Sequence, residues 1–494
     1  MDTPKLSLLL QDILITARNI KTDAFPRKLC VDSRFVDNDS IFAAINGIKN
    51  DGTLYIPQAV SNGASAVIHA KELAEYAPQV EYYLVSDIRK AVSRLNRLIA
   101  GKPDEKVNIL GITGTNGKTT TAFLLRHLLN FTRRQCGLIS TVEYDNCQTI
   151  VESSWTTPDP GVLFTKLADM HRAGARFCAM EFSSHALAQH RVEELQIAGA
   201  IFTNLTGDHL DFHLTMENYA AAKMRLFTDY IRPGGIAVLN YDDPFAAEIV
   251  KTLEAKRPDV QKITFGRTTG ADCRICNESA NWQGSAFTLQ SGSWQADFHA
   301  SLPGAYNVSN FAGAILLLRA LGMEEETLHD AMKREFLVPG RLQHLSSPAG
   351  AEFFIDFAHT HDALQNVLQT LRPLCKGKLT VLFGAGGDRD RTKRPKMGAA
   401  AAAADKIILT SDNPRSEDPE AIMDDVSAGI PSGSELIREV DRRKALQCAV
   451  ATARKGDIVL IAGKGHENTQ EIAGVKHHFN EVEILQQLFQ KAQK

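Results

Sequence analysis

The strongest local signal in this chain is the stretch Gly111-Ile112-Thr113-Gly114-Thr115-Asn116-Gly117-Lys118-Thr119-Thr120. An apolar run at residues 107–112 leads into it, and a helical pattern at residues 119–129 follows it. A strand, a glycine-rich turn and a helix in this order open an α/β domain. Glycines let backbone N–H groups turn towards phosphates, and the N-terminus of the helix adds partial positive charge. The stretch therefore predicts a nucleotide-phosphate loop.

Two side chains of this loop fit triphosphate chemistry. Lys118 can reach the terminal phosphates, and the hydroxyl of Thr119 can ligate magnesium. The spacing differs from the standard P-loop, because Ile112 stands where the first glycine would fall. The alternative, a glycine turn with a chance lysine, does not account for the strand before the loop and the helix after it.

Two segments downstream supply acidic and imidazole groups. A buried-strand pattern at residues 177–182 contains Glu181, and a strand pattern at 198–204 is followed by Asp208, His209, Asp211 and His213. Magnesium is normally held by a carboxylate at the end of a strand beside the phosphate-loop strand. A single histidine is usually structural, but this cluster favours a second cation or a phosphate site.

Composition limits the class of protein. The 494 residues predict two to four domains, and 44% hydrophobic with 23% charged residues indicates a soluble globular chain. Lys and Arg number 55 against 58 acidic residues, which argues against nucleic acid as the main partner. No apolar run approaches the roughly 20 residues of a membrane span. Eight scattered cysteines are typical of a reducing compartment, so we expect a cytoplasmic protein.

A second sheet is predicted in the C-terminal third. Strand patterns at residues 353–357, 378–383, 406–410 and 457–462 alternate with helical segments, as in a parallel α/β sheet. In the central part of the chain, a further strand pattern lies at residues 235–240, and an irregular alternating stretch at 264–301 predicts additional β structure. The polar segment 102–106 and Pro339-Gly340-Arg341 are the candidate boundaries.

The motifs together resemble the Mur ligase family, over nearly the whole chain. They occur in the family's order: Gly114 to Thr120, Glu181-Phe182-Ser183-Ser184-His185, Asn204-Leu205 with Asp208-His209-Leu210-Asp211, Asn307-Val308-Ser309-Asn310, Pro339-Gly340-Arg341 and Asp356-Phe357-Ala358-His359-Thr360. One such motif is weak evidence, whereas the ordered set is highly specific.

The resemblance implies an α/β fold of three domains: a UDP-precursor-binding domain (1–104), a P-loop ATPase domain with a mainly parallel sheet (105–340) and a Rossmann-like amino-acid-binding domain (341–494). It implies that ATP activates a carboxylate as an acyl phosphate, which an amine attacks. Two magnesium ions are implied, with Thr119 and Glu181 on one and His209 on the other. Lys223 matches a lysine that the family carboxylates, although a surface lysine is the commoner case for any lysine. The implied ATP-binding residues are Gly114, Thr115, Asn116, Gly117, Lys118, Thr119, Thr120, Asn307, Arg341 and Asp356.

Within the family, the chain is similar to the branch that adds meso-diaminopimelate to a UDP-linked muramoyl dipeptide for the bacterial cell wall. The implied contacts to the UDP-linked substrate are Val31, Ser33, Ile48, Lys49, Asn50, Thr156, Thr157, Ser183, Gln189 and Arg191. Arg191 could pair with a substrate carboxylate. The implied partners are small molecules, without nucleic acid, membrane insertion or a required oligomer.

The amino-acid site is predicted at the carboxyl ends of three strands, where open α/β sheets bind ligands. A guanidinium such as Arg415 suits the distal carboxylate of diaminopimelate, and Glu467 suits its ammonium. Lysine-adding relatives lack this arginine, because lysine has no distal carboxylate. The alternative is that these side chains are solvated loop charges. The predicted residues are Arg389, Asp412, Asn413, Pro414, Arg415, Gly463 and Glu467.

Three other hypotheses remain open. The first is a lysine-adding relative or folylpolyglutamate synthetase, which the UDP-binding segments and Arg415 disfavour. The second is a P-loop NTPase that acts as a switch or drives transport. The third is an inactive binding protein, which would be expected to lose Lys118 or His209.

Overall fold

The computed structural model describes residues 5–25, 27–38, 40–47 and 51–492. Within them lie sheets of five, eleven and six strands and a two-stranded hairpin, surrounded by helices. Most strand pairs in the three large sheets are parallel, so the predicted α/β class with mainly parallel sheets is confirmed. No helix in these ranges combines the length and apolarity that crossing a bilayer requires.

The first sheet has the strand order β1-β5-β4-β3-β2, in which only the pair β1–β5 is antiparallel. Its core consists of aliphatic residues on the sheet and on the amphipathic third helix. The elements are β1 Leu14–Arg18, β2 Lys28–Cys30, β3 Ser40–Ala43, β4 Ala66–His69, β5 Glu81–Val85, α1 Leu6–Leu9, α2 Ile56–Ser61 and α3 Ile88–Ile99.

The second sheet has the order β16-β15-β14-β13-β12-β11-β6-β10-β7-β8-β9. Its central strands are parallel and buried on both faces, and antiparallel strands flank them on either side. The strands are β6 Asn108–Thr113, β7 Cys136–Ile139, β8 Glu143–Asp145, β9 Ile150–Glu152, β10 Phe177–Glu181, β11 Ile197–Phe202, β12 Ile231–Asn240, β13 Gln261–Gly266, β14 Cys273–Asn281, β15 Gly284–Ser291 and β16 Trp294–Ala300.

Helices cover both faces of this sheet. The fourth and tenth helices of the chain pack on one face, and the fifth and ninth contribute to the core on the other. The helices are α4 Lys118–Phe131, α5 Pro160–Arg172, α6 Ser184–Ala188, α7 Leu210–His213, α8 Met216–Arg225, α9 Phe245–Lys256, α10 Ala305–Ala320 and α11 Glu325–Met332.

The third sheet has the order β17-β18-β22-β19-β20-β21, and all its pairs except β17–β18 are parallel. Its two faces are covered by separate apolar clusters. The elements are β17 Gln343–Ser346, β18 Glu352–Asp356, β19 Leu379–Phe383, β20 Lys406–Leu409, β21 Glu435–Arg438, β22 Ile458–Ala462, the hairpin β23 Thr469–Ile472 with β24 Val475–His478, α12 His361–Leu371, α13 Lys393–Ala401, α14 Pro419–Ser427, α15 Arg442–Thr452 and α16 Glu481–Ala492.

Some strand ends differ from the prediction. Strand β12 begins at Ile231 rather than at residue 235, because Ile231 already pairs with Ile197 before the register shifts at the Pro-Gly-Gly segment. Strand β11 ends at Phe202 rather than at residue 204, since Asn204 instead binds the phosphate loop through its side chain. The local apolar pattern identifies the interior of a strand. It does not identify the residue at which backbone hydrogen bonding to the neighbouring strand ends.

The parallel order collects the predicted site segments. Strands β10, β6 and β11 are neighbours, so the segments after their carboxyl ends lie on one edge of the second sheet. In the third sheet, β22, β19 and β20 are neighbours, so the segments after their carboxyl ends also lie on one edge of that sheet. Both edges are the positions at which open α/β sheets bind ligands.

Candidate active site

The phosphate loop packs closely against neighbouring segments on both sides. Gly117 has φ 85° at the start of α4, and a Cβ on it would lie 2.4 Å from Oδ1 of Asn310. Glycine is therefore required both for the left-handed backbone and for this close approach. On the other side of the loop, the backbone N–H of Asn116 donates to Oδ1 of Asn204 at 2.9 Å. The first turn of α4 then presents Thr119 and Thr120, both buried.

Two lysine ammonium groups meet at one carbonyl oxygen of this loop. Nζ of Lys118 donates to the Gly114 oxygen at 2.9 Å and to the Thr115 oxygen at 2.8 Å. Nζ of Lys223, on α8, donates to the same Gly114 oxygen at 2.7 Å. Burial lowers the pKa of both lysines, and Lys118 lowers that of Lys223 further. Lys223 is only 1% exposed, so it is not a surface helical lysine.

Glu181 is a fully buried carboxylate at the end of β10. Its Oε1 accepts from the backbone N–H of Thr141 at 2.9 Å, and its Oε2 accepts from the Thr141 hydroxyl at 3.2 Å. Its negative charge opposes the lowering of the pKa of Lys118 and of Arg341. Glu181 therefore lies near Lys118 and Arg341, at the end of the strand that pairs with β6.

His209 lies beside Asp208 at the N-terminus of α7, in left-handed backbone conformation with φ 54°. Its Nε2 is 3.4 Å from Oδ2 of Asp208, and its ring stands edge-on to that of His185 at 4.7 Å between centroids. Burial lowers the pKa of His209 to about 4. The imidazole is consequently neutral at physiological pH, which is the form that binds metal ions.

Asp208 joins the second sheet to the third. Its Oδ1 accepts from Nζ of Lys393, the first residue of α13, at 2.7 Å. Burial would raise the pKa of Asp208, but His209 and Lys393 outweigh it and hold that pKa well below the usual range. The pair therefore connects the phosphate edge of one sheet with the segment that follows Arg389 in the other.

The three residues predicted to surround the nucleotide take different positions. Nη2 of Arg341 donates to the Thr119 hydroxyl at 3.1 Å, and its guanidinium lies over the Phe357 ring at 4.8 Å. Asp356 is buried and accepts from the backbone N–H groups of Leu342 and Ala358, so its carboxylate fixes the turn that carries Arg341. Asn307 is buried at the start of α10, where it accepts from Nδ2 of Asn310 at 3.3 Å.

Five residues predicted to bind the UDP-linked substrate form a connected group beside Glu181. The Thr156 hydroxyl is 3.0 Å from that of Thr141, and the Thr157 hydroxyl donates to the Glu181 carbonyl at 2.7 Å. The backbone N–H of Ser183 donates to the Thr157 hydroxyl, and Nη1 of Arg191 donates to the Thr157 carbonyl. The Oε1 of Gln189 accepts from Arg191 at 2.8 Å.

The remaining residues predicted for this substrate belong to the first sheet. Val31 is exposed after β2, and the Ser33 hydroxyl donates to Oε1 of Gln58 at 2.7 Å. The predicted residues Ile48, Lys49 and Asn50 lie outside the described ranges. In α3, the Ser93 hydroxyl donates to the Arg191 carbonyl at 3.2 Å, which connects the first sheet with the group beside Glu181.

The predicted amino-acid residues lie on three loops that leave β19, β20 and β22 side by side. Nη1 of Arg415 donates to the Gly387 carbonyl at 2.5 Å, which joins the first two loops. Nδ2 of Asn413 donates to Oε2 of Glu467 at 2.8 Å, which joins the second and third. The three loops therefore form one connected surface rather than separate solvated segments.

The charged side chains on these loops differ in their exposure and in their bonding partners. Arg389 is exposed and forms no ion pair with any described residue, so its guanidinium is available to a ligand. Arg415 is partly buried, and its Nε lies 3.8 Å from Oε2 of Glu471. Glu467 receives a hydrogen bond at 2.9 Å from the fully buried ammonium of Lys464. Asp412, Asn413, Pro414 and Gly463 are buried and shape the loops from within.

Sequence patterns did not single out several residues of this arrangement. Lys393 stands in a basic run, residues 389–396, which is usually a solvated face. Lys464 lies between the predicted residues Gly463 and Glu467, but its complete burial has no local signal. Thr141 precedes a short strand and carries no motif. Each is found only when the sheets bring distant segments together.

Comparisons with known proteins identify the family of this chain. The Mur ligase middle domain model matches residues 112–318, and the Mur ligase, glutamate ligase domain model matches residues 340–465. The UDP-N-acetylmuramoyl-L-alanyl-D-glutamate–2,6-diaminopimelate ligase of Aquifex aeolicus (strain VF5) is 39% identical over 98% of this chain and 97% of its own length. The ligase of the same name from Chlorobaculum tepidum is 40% identical over 93% and 91%.

A solved structure of a UDP-N-acetylmuramoyl-L-alanyl-D-glutamate–2,6-diaminopimelate ligase aligns with a TM-score of 0.71 and 33% sequence identity, covering 100% of both chains. The resemblance seen in the ordered motifs thus extends to full-length sequence and to three-dimensional structure. With the phosphate loop, the paired lysines and the three connected loops in place, this chain belongs to the Mur ligase family.

Proposed function

We propose that this chain is an ATP-dependent ligase that joins meso-2,6-diaminopimelate to UDP-N-acetylmuramoyl-L-alanyl-D-glutamate in peptidoglycan synthesis, releasing ADP and phosphate. The observation that carries the proposal is the ion pair between Lys393 and Asp208, with 2.7 Å between Nζ and Oδ1. It joins the phosphate edge of the second sheet to the chain that follows Arg389 in the third sheet. A ligase needs this proximity, because the activated carboxylate and the attacking amine must meet.

In the proposed reaction, a substrate carboxylate oxygen attacks the terminal phosphorus of ATP, and ADP leaves. The amine of diaminopimelate then attacks the acyl phosphate, inorganic phosphate leaves, and the amine loses a proton. Lys118 and the backbone N–H groups of residues 114–118 offset the charge on the transferring group. Arg341 reaches the Thr119 hydroxyl and is within the same site, where it can contact phosphate oxygens.

The residues of the site fit magnesium. Glu181 is buried and has no ion-pair partner within 4.0 Å among the described residues, which is costly for a carboxylate unless a cation joins it. We infer that Thr119 and Glu181 hold one ion and His209 the other. Magnesium would offset the negative charge that develops on the transferring phosphoryl group.

The surroundings of Lys223 fit a carboxylated lysine. A neutral amine is the form that adds carbon dioxide, and burial beside Lys118 lowers the pKa of Lys223 well below its ordinary value. As a carbamate, Lys223 would carry a negative charge beside Lys118 and could help hold magnesium. We include this modification in the proposed site.

The three sheets correspond to three proposed functions. Residues 1–104 would bind the uridine end of the precursor with Val31 and Ser33, together with the predicted residues at 48–50. Residues 105–340 would bind ATP and, through Thr156, Thr157, Ser183, Gln189 and Arg191, the peptide end. Residues 341–494 would bind the amino acid. Because its substrates are soluble precursors, we propose that the protein acts in the cytoplasm.

An assay of ADP release tests the function directly. The purified protein is given ATP, magnesium and the UDP-linked dipeptide, with meso-diaminopimelate, with lysine or with no amino acid. We expect ADP release only with diaminopimelate. Equal release with lysine would contradict the proposed specificity, and release without any amino acid would indicate an NTPase.

The same assay with Arg415→Ala examines the distal carboxylate. The change should raise the free-energy barrier behind kcat/KM for diaminopimelate by about 2 kcal/mol, which lowers kcat/KM roughly 30-fold. This is the low end for a charge pair, because Arg415 is partly exposed. Activity with lysine, if any, should not fall. Unchanged kinetics with diaminopimelate would exclude Arg415 from the binding site.

A further inference from the structure

A buried arginine lies directly beneath two of the three amino-acid loops. Arg442 is the first residue of α15, and its side chain is 0% exposed. Its Nη2 donates to the Ala462 carbonyl at 2.8 Å, and its Nη1 donates to the Ser411 carbonyl at 3.3 Å. Ala462 is the last residue of β22, and Ser411 follows β20 by two residues. The guanidinium therefore bridges the backbone where both loops leave the sheet.

The position of this guanidinium is fixed from the opposite side. Its Nε donates to Oε1 of Glu481 at 2.8 Å, and the Glu481 side chain is also 0% exposed. Glu481 is the first residue of α16, which packs with α15 on one face of the third sheet. Burial raises the pKa of Glu481, and the positive charge and hydrogen bond of Arg442 oppose that rise.

The residues immediately after the two bridged carbonyls are the predicted ligand-binding residues. Asp412 follows Ser411, and its Oδ2 is buried without a hydrogen-bond partner, 3.9 Å from Nη1 of Arg442. Gly463 and Lys464 follow Ala462, and Nζ of Lys464 donates to Oδ1 of Asn413 at 3.0 Å. A displacement of either carbonyl would therefore move Asn413, Arg415 and Glu467 together.

We propose that Arg442, held by Glu481, is a positioning residue for the amino-acid site: it fixes the loops after β20 and β22 at one separation. This proposal rests on the proposed function in so far as those loops bind the amino acid. A planar guanidinium suits the task, because it donates in three fixed directions at once, to two carbonyl oxygens and one carboxylate. Arg442 touches no reacting atom and acts only through the loops.

The main test is the double variant Arg442→Met with Glu481→Leu, which avoids leaving one buried charge unpaired. Replacing a buried ion pair by apolar residues of similar volume is often close to neutral for stability. We expect a folded protein in which KM for diaminopimelate rises roughly tenfold or more, since a small misplacement of binding groups has effects of that order. KM for ATP and for the UDP-linked dipeptide should stay close to wild type. A folded double variant with wild-type KM for diaminopimelate would overturn the proposal.

Arg442→Lys is the second variant, and it decides the matter if the double variant does not fold. Lysine keeps the charge opposite Glu481 but offers a compact ammonium in place of the planar fork. We expect an intermediate rise in KM for diaminopimelate. An Arg442→Lys protein with wild-type KM for the amino acid would overturn the proposal.

A matched control is a second buried pair, Arg97 with Asp104, in which Nε of Arg97 donates to Oδ1 at 2.9 Å. It joins α3 to the segment before β6, away from the third sheet. Arg97→Met with Asp104→Leu should not raise KM for diaminopimelate selectively, and an equal rise there would refute the proposal. Wild-type activity with diaminopimelate, measured first, tests the proposed function separately. If another amino acid is the substrate, its KM is the quantity to follow.

Discussion

Lys118 and Lys223 place two ammonium groups on the Gly114 carbonyl, at 2.9 and 2.7 Å. Two like charges this close in a buried site are unfavourable, and the fold lowers the pKa of both groups. At any given pH, a larger fraction of Lys223 is therefore neutral than of an ordinary lysine, and this neutral fraction grows as pH rises. A carbamate would convert the repulsion between the two side chains into attraction.

This arrangement predicts that the enzyme depends on dissolved carbon dioxide. In buffer depleted of carbon dioxide, the magnesium concentration for half-maximal ADP release should rise roughly tenfold or more, as expected when a metal site loses a supporting ligand. Added bicarbonate should reverse the effect, and labelled bicarbonate should give the NMR signal of a carbamate.

The matched variant for this experiment is Lys223→Met, which keeps an unbranched side chain but cannot be carboxylated. Its residual activity should not respond to bicarbonate. If wild-type magnesium dependence is the same with and without carbon dioxide, Lys223 does not act as a carbamate.

At this scale, sequence analysis predicts a site residue where its chemistry is local. Lys118 and Thr119 are identified by the loop alone, because glycines and a following helix are adjacent in the chain. Lys223 is predicted only by resemblance, because its position depends on burial against a loop more than 100 residues away. Arg442 and Glu481 had no local signal, because neither glycine spacing nor apolar period marks a buried ion pair.

Among the elements, the turn at Pro339-Gly340-Arg341 connects two sites. Gly340 has φ 65°, and a Cβ on it would lie 2.2 Å from the backbone nitrogen of His466. Its carbonyl accepts from the backbone N–H of Phe357 at 2.9 Å. The turn therefore rests on the loop after β22, and the next residue, Arg341, reaches Thr119.

Gly340→Ala should lower kcat by more than the strain of its left-handed backbone alone would explain. A left-handed alanine costs about 1–2 kcal/mol, but here the added methyl group also meets backbone that cannot yield. The turn must shift, so Arg341 should leave the phosphate loop and kcat should fall roughly tenfold or more. Steady-state kinetics and a thermal melt measure the two effects.

Gly322→Ala provides the control for strain alone. Gly322 has φ 80°, yet a Cβ on it would meet nothing within 4 Å. This variant should lose about 1–2 kcal/mol of stability and keep its turnover. Equal losses of kcat in both variants would show that the contact with His466 is unimportant.

The elements also show where pattern analysis ends. Parallel strands buried on both faces give continuous apolar runs, so β6, β10, β19 and β22 were predicted to within one or two residues. Strand β12 starts earlier than predicted because a Pro-Gly-Gly segment has the signature of a turn, although Ile231 already pairs with β11. The order of strands, which brings the three loops together, depends on long-range pairing that no local window contains.

In the whole molecule, the phosphate edge and the amino-acid loops lie on different sheets, and Lys393 with Asp208 joins them. The two side chains are 26% and 12% exposed, so water screens this pair less than a surface pair. Asp208 also neighbours His209, and Lys393 follows Arg389 by four residues. This hydrogen bond thus couples the proposed phosphate chemistry to the proposed amino-acid site, in addition to the contact of Arg341 with Thr119.

Lys393→Met should loosen the association of these two parts. The exposure of this ion pair lies between that of surface pairs and that of buried pairs, so the pair should stabilise the association of the two parts by about 1–2 kcal/mol. Its loss should shift the equilibrium between associated and separated parts roughly 5- to 30-fold towards separation. We expect a larger radius of gyration by small-angle X-ray scattering in the nucleotide-free variant, and a weaker effect of salt on that radius than in wild type.

Lys396→Met is the control, because Lys396 is exposed on the same helix and forms no ion pair among the described residues. Should Lys393→Met and Lys396→Met both scatter like wild type at low and high salt, the pair does not hold the two sheets together, and their proximity must come from the turn at Gly340 and its packing on His466.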